Sequence, residues 1–131
     1  MPLEELDKLR FHDPAKHAGS FAALSDEELY VVARNRETLA LLTWEPYMHN
    51  PKLKHRLHRV NVPTLFVRGA SDGIVSADYL ARYAALIPQA RIETLAQAGH
   101  LPQVEQPAAT AATVLQFLQG KQAAETPGAR R

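Results

Sequence analysis

The 131-residue chain contains no cysteine. A disulfide scaffold, a cysteine nucleophile and any thiolate metal site are therefore excluded. Long apolar runs are also missing: no stretch approaches the roughly 20 residues that a membrane-spanning helix needs. Charge of one sign does not dominate, with 15 Lys+Arg against 14 Asp+Glu. Such a balance sets up no global field to gather nucleic acid or an anionic membrane. Interleaved aromatics are absent from the one strongly basic run, residues 52–59, which reads as a solvated helix face. The amino terminus is acidic and amphipathic, without the apolar core of a secretory signal, so a cytoplasmic chain is the expectation. What is present is a hydrophobic content of 46%. That lies in the ordinary globular range, and the length suits one domain.

The pattern divides near Asn61. Before it the chain reads as helical and irregular. Ser25 and Glu28 have the spacing of a capping box, in which hydroxyl and carboxylate each satisfy a free amide at a helix start. Leu24 and Leu29 flank that box at the spacing of a hydrophobic staple. Leu29, Val32, Leu39 and Thr43 continue one face, predicting a helix from Asp26 to Leu42. Trp44 and Pro46 end it, and a short basic helix is expected around residues 52–58.

After Asn61 the period changes. Pro63 to Arg68, closed by Gly69, reads as a buried strand. Ser76 caps a helix reaching Leu86, with Tyr79, Leu80, Tyr83 and Leu86 as its packing residues. Arg91 to Leu95 alternates as a second strand. Pro107 stands in the first turn of a last helix, whose apolar stripe is Ala111, Val114, Leu115 and Leu118, and Gly120 follows its end. The expected fold is α/β: a helical segment over 1–60, a β-α-β-α unit with parallel strands over 61–120, and a disordered tail over 121–131. Two strands leave open edges, so the unit needs further strands or a partner.

Parallel strands joined by one helix end at the same rim. Asp72 lies just past the first strand and His100 just past the second, so a carboxylate and an imidazole can meet there. An acid on one imidazole nitrogen holds the tautomer and stabilises the imidazolium, leaving the other nitrogen to take a proton from a nucleophile. On spacing alone a second reading stands equally: Asp72 shapes a turn and His100 is an ordinary loop histidine.

The stretch from Val62 to Leu118 resembles the carboxyl-terminal part of the α/β-hydrolase family. The matching residues are Val62 to Gly69, Asp72, Val75, Ile87, Pro88, Ala90, Arg91, Ala98 to His100, Glu105 to Pro107, Phe117 and Leu118. The resemblance implies Asp72 as the acid and His100 as the base of a Ser-Asp-His triad. It also implies hydrolysis of an ester or a related acyl or carbon–carbon bond, with no cofactor and no metal. Glu105 and Pro107 match a recurring element expected to position the histidine loop and start the last helix. Residues before Asn61 look like the cap that such hydrolases insert, with Trp44, Tyr47 and Met48 as candidate lining of a substrate pocket or as cap core. The family's nucleophile elbow and oxyanion loop precede such a cap, so the chain is expected to carry acid and base without a nucleophile and to be inactive alone.

Gly69, Ser71 and Gly73 satisfy the G-x-S-x-G pattern literally, which makes Ser71 a possible nucleophile. A true elbow passes directly from the turn into a helix, whereas Ile74 to Ala77 intervene here. His55 with His58, and His12 with Asp13 and His17, fall short of a zinc site and read as solvated or packing side chains. The expected partners are a small ester-like substrate in the complete enzyme and a complementing amino-terminal half or a second copy of the chain, with neither nucleic acid nor membrane. The competing function is a non-catalytic assembly module docking through its open sheet edge.

Overall fold

A computed structural model describes residues 3–46 and 48–120. The expected tail over 121–131 and the candidate pocket residue Tyr47 lie outside the described residues. In chain order the elements are α1 (Leu3–Arg10), α2 (Pro14–His17), α3 (Asp26–Thr43), β1 (Thr64–Gly69), α4 (Ala77–Ala84), β2 (Ala90–Leu95), α5 (Pro102–Glu105) and α6 (Pro107–Leu118). Short 3-10 turns occur at Phe21–Ala23, Leu53–His55 and Leu57–Arg59. Among the described residues no helix is long and apolar enough to cross a membrane.

The fold is α/β: a parallel pair of strands, β1 beside β2, with α4 as the crossover. Thr64 pairs with Ala90 and Gly69 with Leu95, so both strands finish level with one another. The two loops that follow leave from one rim. Close approach at that rim depends on two glycines. A Cβ on Gly69 would collide with the carbonyls of Ala98 and Gly99, and a Cβ on Gly99 would collide with the Arg10 carbonyl. Backbone cannot yield as a flexible side chain can, so any larger residue forces the loops apart.

Helix ends follow the sequence signals closely. Ser25 Oγ accepts from Glu28 N at 3.3 Å while Glu28 Oε2 accepts from Ser25 N at 2.8 Å, the reciprocal capping box. Ser76 Oγ accepts from Tyr79 N at the start of α4. Gly120 takes φ +69° just past α6, where a left-handed residue closes the helix. The basic helix expected over 52–58 is instead two 3-10 turns that meet at Arg56, with Leu57 buried and the basic side chains exposed.

Burial departs from expectation more than helix position does. The strand read as buried, β1, is half-buried from Thr64 to Arg68, because β2 is its one strand neighbour among the described residues. The stripe expected to pack α6 is turned outward at Leu115 and Leu118, which are 55% and 72% exposed. Thr110, Thr113 and Phe117 take the inner face instead, and Arg91 of β2 lies over the Phe117 ring. On α4 the buried residue is Ala84, with Ile87 just beyond, while Tyr79 and Leu86 stay exposed. Among the described residues buried apolar side chains are few: Phe11, Leu57, Ala84, Ile87, Ala98 and Pro102. Two acids, Asp7 and Glu105, are buried with them.

Candidate active site

The rim is built by hydrogen bonds before any side chain acts. Ala70 N donates to Leu95 O, Ser71 N donates to Ala98 O at 2.9 Å, and the turn after β1 is thereby tied to the loop after β2. Asp72 Oδ1 accepts from Ile74 N at 2.8 Å and from Val75 N at 2.9 Å. An aspartate that folds its own following backbone in this way rigidifies its carboxylate and aims it. The side chain retains 6% exposure and sits 3.1–3.2 Å from His100 Nδ1. His100 keeps 37% of its side chain exposed, so a buried acid backs an accessible imidazole.

The same carboxylate shapes the turn and meets the histidine. Burial pushes its carboxyl upward, but the Val75 and Ile74 amides and the His100 imidazole outweigh that, leaving its pKa lowered. An ionised Asp72 accepts the Nδ1 proton of His100 and thereby directs the acceptor lone pair to the other ring nitrogen.

Ser71 is brought to a different partner. Its Oγ lies 2.8 Å from His12 Nδ1, on an exposed part of the surface. Among the described residues no carboxylate is hydrogen-bonded to the His12 ring, and the turn at Ser71 runs on to Gly73 and Ile74 rather than into a helix, since α4 begins at Ala77.

The remaining candidates are dispersed. Trp44 is 71% exposed. Met48 lines two open clefts, one with Thr43, Pro46 and His49 and one with Leu57, Tyr79 and Tyr83, and neither lining includes Asp72 or His100. The carboxylate of Asp13 caps α2 by accepting from Lys16 N, and His17 stacks on Phe11. Among the described residues no group of three or more His, Asp or Glu side chains could hold a metal ion.

One arrangement was not legible beforehand. The segment from Leu9 to Asp13, assigned on resemblance to a cap, threads between the two rim loops. Leu9 O accepts from Gly73 N at 2.9 Å, and Arg10 O accepts from His100 N at 2.6 Å. Glu105 Oε1 accepts from His12 N and Asp13 N at 2.8 and 3.0 Å, and its Oε2 accepts from Gly99 N at 2.5 Å. Burial alone would push the Glu105 carboxyl up, but these three amides and the nearby His17 reverse the effect, so its pKa is lowered. Asp13 followed by Pro14 is a readable helix-start signal, but it says nothing about which loop that helix start touches.

The fold and the level strand ends are those of a known architecture. The sequence model of the alpha/beta hydrolase fold matches residues 13–107, well over half of the chain. The chain belongs to the α/β-hydrolase family. Among solved structures it is similar to a thermophilic esterase from Thermogutta terrifontis, in a malate-bound form, at 30% identity and a TM-score of 0.51. That match covers 53% of this chain and 26% of the esterase, so the chain spans about a quarter of the length of that relative. A search of curated proteins returns no significant match.

Proposed function

We propose that the chain supplies the acid and the base of an esterase-like α/β-hydrolase, with Asp72 orienting His100 and His100 accepting the proton of a serine hydroxyl. The observation that carries this is the Asp72–His100 pair at 3.1 Å, formed across two adjacent parallel strand ends. In the proposed reaction the hydroxyl attacks an ester carbonyl as His100 takes its proton. The resulting imidazolium, paired with Asp72, protonates the leaving alcohol. Water then repeats the sequence to release the acid. The nucleophile and the oxyanion-binding amides come, in this proposal, from polypeptide outside these 131 residues, in keeping with the quarter of the esterase that the match spans. A base without nucleophile and oxyanion hole has little to activate, so the chain alone is expected to be inactive.

The test is turnover of a p-nitrophenyl ester by the chain alone and by the chain mixed with an amino-terminal half of an α/β-hydrolase. Turnover restored by mixing, lost with His100→Ala and reduced roughly ten-thousandfold with Asp72→Asn, is the expected result. Turnover by the chain alone that vanishes with Ser71→Ala would instead make Ser71 the nucleophile and overturn the proposed division of labour.

A second reading has its own observation. Ile92 on β2 and Leu115 and Leu118 on α6 are exposed, and both strand edges are open among the described residues. As an assembly module, the chain would form a defined oligomer by light scattering that is indifferent to changes at Asp72 or His100.

A further inference from the structure

Helix α3 has two unlike faces. Val32 and Thr43 are half-buried and the Arg36 guanidinium lies over the Phe21 ring, so this face is turned toward the rest of the chain. Roughly opposite it, Tyr30, Arg34, Glu37, Leu41 and Trp44 follow one another at spacings of four and three residues. At 3.6 residues per turn these five positions fall within about 80° around the axis, the narrow seam of a helix that packs along a second helix. Trp44 keeps helical backbone at the end of α3, with φ −68° and ψ −42°. None of the five is covered. Tyr30, Leu41 and Trp44 are 66%, 76% and 71% exposed, and Arg34 pairs with Glu37 out in solvent.

The character of that seam is the same read from either end. Positions 30 and 41, and likewise 34 and 37, lie equally far from the midpoint between Asn35 and Arg36. We propose that α3 is the contact between two copies of this chain, packed antiparallel about a two-fold axis through that midpoint. The axis sets Tyr30 beside Leu41 of the second copy and Arg34 beside Glu37 of the second copy, and each pair occurs twice. Trp44 then reaches the first turn of the other α3, at the level of Glu27. The four central charges alternate in sign, so each carboxylate has one guanidinium on its own helix and another across the seam. Such a layer costs desolvation and adds little affinity, but it fixes register, because sliding by one turn sets a charge against an apolar side chain. Parallel packing is disfavoured, since it sets Arg34 against Arg34 and Glu37 against Glu37. An unlike partner would have to carry both the charges and the apolar ends in this order, whereas a second copy carries them by symmetry. The seam includes neither Asp72 nor His100 nor a strand edge, so it stands whichever reading of the function holds.

The test is sedimentation of the wild-type 131-residue chain with the emission of Trp44, its single tryptophan, read alongside. The range runs from about 1 to about 500 µM, because one helix pair buries less than a standard interface and holds at micromolar affinity. A reversible monomer–dimer equilibrium is expected, with Trp44 emission moving to the blue as the dimer forms. Arg34→Glu and Glu37→Arg each set like charges across the seam and should weaken the dimer by about tenfold or more. An equimolar mixture of these two variants should recover wild-type dimerisation. It restores both pairs across the seam, although within each helix the two charges remain alike. Leu41→Ser should also weaken the dimer, whereas Leu42→Ser, about a third of a turn from the seam, should not. A wild-type chain that stays monomeric over the whole range overturns the proposal, whatever the variants do. A dimer that neither reversal weakens overturns it too, since its contact then lies elsewhere, as at the sheet edge. So does a mixture of the two folded variants that fails to recover. Helical ellipticity reports folding; should a reversal unfold the chain, equal dimerisation of Leu41→Ser and Leu42→Ser sinks the proposal instead.

Discussion

The rim around Asp72 and His100 and the long helix α3 were both anticipated from the sequence, yet they are held in opposite ways. The rim buries the small side chain of Ala98 and the ring of Phe11. It is gripped by backbone: Leu9 O on Gly73, Arg10 O on His100, Ala98 O on Ser71, and the Glu105 carboxylate on three amides. Helix α3 has 18 residues, and not one of them is buried. Of the face expected to pack, Val32 and Thr43 are half-buried while Leu29 and Leu39 stay exposed, and the large side chains of Leu41 and Leu42 are 76% and 80% exposed. A capping box holds its start, and its own ladder holds the rest. Local signals are enough to make a helix, but they do not decide what it lies against.

The largest expected effect falls on the rim. Gly99→Ala drives a methyl group into the Arg10 carbonyl, and neither backbone can move without breaking the His100 amide bond. A loss of about 3 kcal/mol is expected, read as a fall of roughly 10 °C in melting temperature. A wild-type melt after this change would mean the rim is as loosely held as α3.

Acid comes next. Asp72 and Glu105 both have lowered pKa values in the folded chain, so each contributes stability that is full above its unfolded value. That contribution is lost as the pH falls from about 4 through the lowered folded values. The melting temperature should therefore hold between about pH 7 and 5 and drop below about pH 4. Asp72→Asn should flatten that acid limb. An equally steep acid limb in this variant would place the acid sensitivity elsewhere, for instance in the capping box of α3, where the Ser25 backbone and side chain lower the Glu28 pKa.

Smaller effects belong to α3. Ser25→Ala removes the acceptor for the Glu28 amide and should cost about 1 kcal/mol, read as lost helical ellipticity at elevated temperature. Leu42→Ala is expected to stay within about 0.5 kcal/mol of wild type, because the side chain is already solvated. A loss of about 2 kcal/mol or more there would erase the difference between the two regions by showing that α3 is covered in solution.

Much of the site could be read from residue types and order. The strand–loop–helix–strand–loop order put Asp72 and His100 on neighbouring loops, since parallel strands with one crossover end at the same rim, while the resemblance alone implied their roles as acid and base. Ser71 was legible only as a pattern. The literal G-x-S-x-G could not say that its hydroxyl would meet His12, a contact spanning 59 positions of sequence. The stripe on α6 failed for a related reason. Leu115 and Leu118 are the more apolar choice, but facing a two-stranded sheet the helix seats Phe117 beneath Arg91 and leaves them outside. Hydropathy ranks the faces of a helix; the surface it meets chooses among them.

By itself, the sequence determined the local and the periodic: where the helices start and stop, which runs are strands, and the α/β order that sets an acid and a histidine on neighbouring loops. These follow from side-chain capping, proline and glycine geometry and hydrophobic period, all of which act within a few residues. Tertiary structure alone decided that residues 9–13 pass between those loops, that Glu105 gathers amides from both ends of the chain, and that Gly69 and Gly99 must lack a Cβ. Such contacts arise where distant backbone converges, and a buried amide must find an acceptor wherever the fold puts it.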